Sequence, residues 1–120
     1  MGPEKKFEEQ VKNWLKGLAF TWFIKIHGTA ATGSGIPDIL ASVGGNFVAL
    51  EIKSESGRLS EIQKAKLKDL HNSGALAYVV KPSNFESVKA DIEILITFED
   101  CEQPWENNKT HLCAMGVLDV

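Results

Sequence analysis

The sequence predicts a single α/β domain in the order α-β-β-β-α-β-α, a mixed central sheet flanked by helices. Three observations predict it. An apolar stripe at helical spacing opens the chain, short β-branched and aromatic runs bounded by glycine follow, and a capped helix separates the third such run from the fourth. With 120 residues, 43% of them hydrophobic, the chain supports one core and not two.

Residues 4–18 read as the first helix, because Phe7, Val11, Trp14, Leu15 and Leu18 make one stripe about 100° wide. Pro3 suits its start, where the missing N–H would be unpaired anyway, and Gly17 weakens its end. Residues 19–27 alternate as a strand, with Trp22, Ile24 and Ile26 on one face and Phe23, Lys25 and His27 on the other. Residues 28–35 are small and read as a loop. Strands 36–42 and 47–53 flank Gly44-Gly45-Asn46, a hairpin signal. Ser60-Glu61-Ile62-Gln63 is a capping box, and the helix it opens runs to about Ser73 before Gly74 stops it. Residues 75–81 read as a buried strand. A crossover through the 60–73 helix makes strands 47–53 and 75–81 parallel. Ser83 or Asn84 caps a helix through about Ala90, and residues 91–98 read as helix extension or further strand. Residues 91–120 form a C-terminal extension beyond a core at about 4–90, all within one domain spanning 1–120.

Composition excludes several classes. No apolar run is long enough to span a membrane. The N-terminus lacks the apolar centre of a signal peptide, so a cytoplasmic location is expected. Gly2 does not begin a myristoylation pattern, given Pro3 and Lys6. Cys101 and Cys113 are expected as free thiols, and with His111 they lack the paired spacing of a zinc site. A net charge of −3 argues against a protein that coats nucleic acid through bulk charge. It does not argue against a site that concentrates carboxylates around a cation.

Such a site is readable in Gly35-Ile36-Pro37-Asp38 and Leu50-Glu51-Ile52-Lys53. Strand alternation puts Glu51 and Lys53 on one face, with Cα atoms about 6.7 Å apart, while Leu50 and Ile52 face the core. The hairpin brings Asp38 alongside Glu51. Burying two carboxylates together costs several kcal/mol each unless a cation intervenes, and an oxygen-only ligand set suits Mg2+ or Mn2+. The bland alternative is an Asp38–Lys53 salt bridge with Glu51 solvated. Gln63 falls amid the apolar stripe of its helix, so it either points over the sheet toward the acids or serves the cap alone. Glu8 lies on the border of the first helix's stripe. It either reaches the site or is a solvated acid at a helix start, and Glu4 competes from the frayed end. Lys25, His27, Ser34 and Arg58 are candidates for meeting the phosphates of DNA, or else exposed polar residues; Lys64 and Lys68 either track the backbone with Arg58 or form a solvated face, the reading preferred for that pair.

These residues resemble the PD-(D/E)XK nuclease superfamily, which has a restriction-endonuclease-like core. More narrowly, they resemble the VRR-NUC (virus-type replication-repair nuclease) family. The match lies in the acid-bearing first helix, Gly35-Ile36-Pro37-Asp38, residues 48–53, Gly57-x-Leu59-Ser60-x-x-Gln63 and Tyr78-Val79-Val80. The resemblance implies metal binding by Asp38, Glu51 and the Ile52 carbonyl. It implies a water-orienting Lys53, a supporting Gln63, and Glu8 serving a second metal or the water. It further implies a stand-alone, homodimeric endonuclease of phages or bacteria that cuts branched DNA such as four-way (Holliday) junctions in DNA repair. Arg58 as the lone arginine departs from a strong DNA binder. A non-catalytic DNA- or protein-binding module on the same scaffold stays open as an alternative. A sequence-specific restriction-type enzyme ranks lower, because the length leaves little room for a recognition domain.

Overall fold

The computed structural model describes residues 2–27 and 33–97. Helix α1 (Pro3–Lys16) leads into β1 (Thr21–Lys25), β2 (Ile39–Val43) and β3 (Asn46–Ile52). Helix α2 (Glu61–Asn72), β4 (Leu76–Val80), α3 (Phe85–Glu93) and a single 3-10 turn (Ile94–Ile96) complete the order. The sheet runs β1-β2-β3-β4, antiparallel except for the parallel β3–β4 pair made by the α2 crossover. The order of elements and the mixed sheet agree with the sequence reading. Among the described residues, no helix is long and apolar enough to cross a membrane.

The core lies on one face of the sheet. Phe7, Val11 and Leu15 of α1 and Val88 and Ile92 of α3 pack there against Ile39, Ala41, Val43, Val48, Leu50, Ile52 and Val80. Phe85 sits edge-on to both Phe7 and Trp14, with centroids 5.3 and 5.7 Å away, and so joins the two helices. Helix α2 occupies the opposite face beside β4, where it buries none of its residues fully.

The structure trims or resolves the sequence reading at several points. β2 begins at Ile39 and not at residue 36, because Pro37 offers no N–H to a ladder and Gly35 adopts φ +79°. β4 is an edge strand and is only partly buried up to Val80, so its apolar run is less enclosed than expected. Residues 91–96 continue α3 and then tighten into the 3-10 turn. The Gly44-Gly45 turn has positive φ at both positions, 55° and 85°, the type I′ geometry that suits a two-residue hairpin. Cys101, His111 and Cys113, the tail from residue 98, and residues 28–32 of the expected loop lie outside the described residues.

Candidate active site

The site forms where three strand ends meet. Ile39 pairs with Leu50, so Asp38 stands across from Glu51 one step beyond the last paired residues. Because Asp38 precedes β2, its side chain is released from strand alternation and reaches two partners. Its Oδ2 accepts from the Ile52 backbone N–H at 2.8 Å, extending the β2–β3 ladder with a side chain. Its Oδ1 lies 3.3 Å from the Lys25 ammonium. The Asp38 carbonyl accepts from the Ile26 N–H at 2.7 Å, which fastens the same residue to the end of β1.

The loop carrying Asp38 is held close to α2. A Cβ on Gly35 would come within 2.2 Å of Ile62 Cγ2 and 2.9 Å of the Ile62 carbonyl oxygen. With a positive φ as well, the position excludes any side chain without displacing backbone. The glycine of Gly-Ile-Pro-Asp therefore sets the height of Asp38 over the sheet.

Glu51 is 3% exposed, the one charged residue buried among the described residues. Gln63 Nε2 donates to its Oε1 at 3.2 Å, and Lys53 Nζ stands 3.8 Å from that same oxygen. Its Oε2 is buried with no hydrogen-bond partner among the described residues. Burial, reinforced by the neighbouring Asp38 charge, pushes the Glu51 carboxyl up to about 8.

Gln63 does both things the sequence left open. Its Oε1 accepts from the Ser60 N–H at 2.9 Å while the Ser60 hydroxyl accepts from the Gln63 N–H at 3.1 Å. This reciprocal cap leaves the amide NH2 free to donate to Glu51. One side chain closes the helix start and orients the acid.

Glu8 reaches the site edge, but toward a lysine. Lys25 Nζ lies 2.7 Å from Glu8 Oε1, so its ammonium bridges Glu8 and Asp38. Burial lowers the Lys25 pKa, yet Glu8 and Asp38 outweigh it and the net shift is upward. Lys25 is thereby engaged inside the protein, where the sequence reading aimed it at DNA. His27 and Ser34 are exposed beside this corner, and Arg58 is exposed on the far side of Lys53. The Lys25 pairing lies beyond the sequence reading because it joins Glu8 and Asp38, which come from separate elements. The clue available was that Lys25 shares its strand face with Phe23, the face α1 covers. Asp38–Lys53 pairing, the bland reading, is absent among the described residues.

The oxygens present fit a divalent cation. Asp38 and Glu51 are hard ligands. Within a strand a residue's N–H and C=O point to the same side, so the Ile52 carbonyl faces the Asp38 side as its N–H does. The unpartnered Glu51 Oε2 is what an ion would satisfy. Among the described residues no three acidic, histidine or cysteine side chains converge, so any remaining coordination falls to the backbone and water.

Comparison with known proteins places this geometry. The VRR-NUC domain model matches residues 3–84, more than half of the chain. A solved VRR_NUC domain protein is 21% identical, with a TM-score of 0.60 over 83% of this chain and 95% of that one. The structure of Archaeoglobus fulgidus Hjc, a Holliday junction resolvase from an archaeal hyperthermophile, is 28% identical, with a TM-score of 0.48 over 64% of this chain and 67% of that one. No curated protein matches the chain.

Proposed function

Because this chain belongs to the VRR-NUC family of nucleases, we propose that it is a Mg2+- or Mn2+-dependent endodeoxyribonuclease that hydrolyses phosphodiester bonds in branched DNA. The observation that carries this reading is Glu51. A buried carboxylate with one oxygen unpartnered, beside a second carboxylate and a lysine, is costly in a merely structural role. It is explained if a cation is meant to arrive.

Asp38, Glu51 and the Ile52 carbonyl would hold the metal. When bound, it supplies Lewis acidity toward the scissile phosphate and acidity to a water. Lys53 remains outside that ligand set, its ammonium near Glu51, where it would orient the attacking water and meet the negative charge building on the phosphoryl oxygens. Gln63 keeps Glu51 Oε1 engaged and so leaves Oε2 aimed at the ion. Lys25 neutralises Asp38 and Glu8 from the α1 side, which makes Glu8 a partner of the lysine before it is a ligand of any second metal.

A homodimer fits the same reading. Trp22, Ile24 and Phe47 are 67%, 46% and 50% exposed on the sheet face that α2 leaves uncovered. With Leu40 they line an apolar groove of about 280 Å3, a cluster of large apolar side chains that a second copy could cover. A two-fold dimer closed over this face would present two like sites, as symmetric incision of a four-way junction requires. The discriminating experiment is cleavage of labelled junction, flap, splayed and linear DNA with Mg2+, Mn2+ or EDTA. Metal-dependent cutting of branched forms over linear duplex is expected. Absence of cleavage on every form would overturn the reading in favour of a binding module.

A further inference from the structure

Next to Lys53, on the side away from Asp38, lies an open groove of about 410 Å3 lined by Lys53, Arg58, Lys64 and Lys81 with the apolar Leu59 and Val79. Among the described residues no carboxylate lines it, in a chain whose net charge is −3. Four cations, two from the β3–α2 loop, one from α2 and one from the end of β4, have been gathered against the overall balance of the protein. The topology does this. Val80 pairs with Ile52 in parallel register, and the Lys53 N–H donates to the Val80 carbonyl at 3.0 Å, so Lys53 and Lys81 leave adjacent strands side by side.

The surrounding contacts leave these charges available. Among the described residues, Lys81 Nζ meets only the main-chain carbonyl of Glu55, at 3.4 Å, while the Glu55 carboxylate accepts from the Ser83 N–H instead. Lys64 pairs with Glu61 at 3.2 Å, but both side chains are more than half exposed, a pairing that solvent makes weak. Arg58 follows Gly57, whose missing side chain lets the loop lie on the Lys53 stem. A Cβ there would meet Lys53 Cβ and Cδ at 3.3 Å. The loop thus braces the lysine of the site and delivers the arginine beside it.

We propose that this groove is a DNA-backbone track in which Arg58, Lys64 and Lys81 hold the phosphates flanking the scissile one that Lys53 meets. The proposal rests on the nuclease reading above and adds the direction in which the strand leaves the site. Spread point charges along an open, partly apolar groove suit a polyanion and not a compact anion, which would need convergent donors.

The test is fluorescence anisotropy of labelled four-way junction and linear duplex, in EDTA to prevent cleavage, across about 50–200 mM salt. Each lost phosphate contact lowers the slope of log affinity against log salt by about one. The Arg58→Ala/Lys81→Ala double variant is expected to lose about two from that slope and to bind roughly tenfold or more weakly at 0.1 M salt. Lys16→Ala, on the last turn of α1, is expected to keep the wild-type slope, and Mn2+ affinity by calorimetry is expected to stay at the wild-type value in the double variant. A double variant with the wild-type slope overturns the track, as does an equal loss in Lys16→Ala. If wild-type protein cuts DNA while the double variant binds normally, only the track fails. A wild type that binds no DNA sinks both readings.

Discussion

On its α1 side the site is charge-complete, and on its α2 side it is not. Lys25 lies 2.7 Å from Glu8 and 3.3 Å from Asp38, and Lys12 lies 3.8 Å from Glu8, so two ammoniums stand against two partly exposed acids. Glu51, by contrast, is buried, holds one neutral hydrogen bond from Gln63, and has its lysine at 3.8 Å and one oxygen unpartnered. The same residue types stand on both sides, yet one side has spent its electrostatic attraction internally and the other has kept it for something absent from the chain. Asp38 belongs to both, and this explains how the first side can steady a ligand of the second.

The largest effect expected from breaking this contrast comes from Glu51→Gln. It removes the carboxylate an ion needs, so cleavage should fall by about a thousandfold or more, roughly 4 kcal/mol of transition-state stabilisation. Thermal melting of the metal-free protein should not drop, and above about pH 8 it should rise, because an unpartnered buried charge has been removed. Full cleavage in this variant would overturn the assignment of the site.

Lys25→Met tests the completed side. Asp38 would lose its ammonium and Glu8 would keep only Lys12, at 3.8 Å, costing about 1 kcal/mol in chemical denaturation. Mn2+ titration by calorimetry should show an additional, weaker equivalent where the ammonium had been. An unchanged stoichiometry would show that the lysine is not holding a cation's place.

The pH dependence sharpens the contrast. Glu51 titrates near 8 in the folded chain against an ordinary 4.5. Between those values the folded chain keeps a proton that the unfolded chain has released. The Glu51 contribution to metal-free stability therefore falls as pH rises from about 4.5 to about 8 and is level above. Mn2+ competes for that proton, so its affinity should climb by up to about tenfold per pH unit to about pH 8, with about one proton released per ion at the acid end. Calorimetry in buffers of different ionisation enthalpy reads this directly. Affinity independent of pH over that range would mean that Glu51 is already ionised.

Gln63→Glu should have the smallest effect and separates the two duties of one side chain. Glutamate at this position still accepts from the Ser60 N–H, so below about pH 8, where Glu51 keeps its proton, melting should stay within about 0.5 kcal/mol of wild type. It no longer donates to Glu51 and adds a like charge, so cleavage should drop about tenfold. Equal loss of stability and activity would reduce Gln63 to a cap.

Local chemistry announces itself in single residues, and those parts of the protein were legible. The α1 stripe of Phe7, Val11 and Leu15, the Gly44-Gly45 hairpin and the Ser60/Gln63 box were all read from short-range pattern, and all are present. The grouping of Asp38 with Glu51 followed from hairpin register. The pairing of Lys25 was only hinted at by the strand face it shares with Phe23, because which turn of α1 crosses Lys25 is set by packing between the two segments. Lys81 went unnoticed for a similar reason, since its neighbour Lys53 is 28 positions away and meets it only through the parallel register of β3 and β4.

Sequence alone determined the elements, their order, the parallel pair and the acids that share a strand end, since periodicity, caps and turn chemistry act over a few bonds. Tertiary structure alone decided which lysine neutralises which acid, that Glu51 keeps a bare oxygen, and that four cations line one groove. Those outcomes depend on distances between segments far apart in the chain, and Coulomb energy and desolvation change with ångströms that no local pattern records.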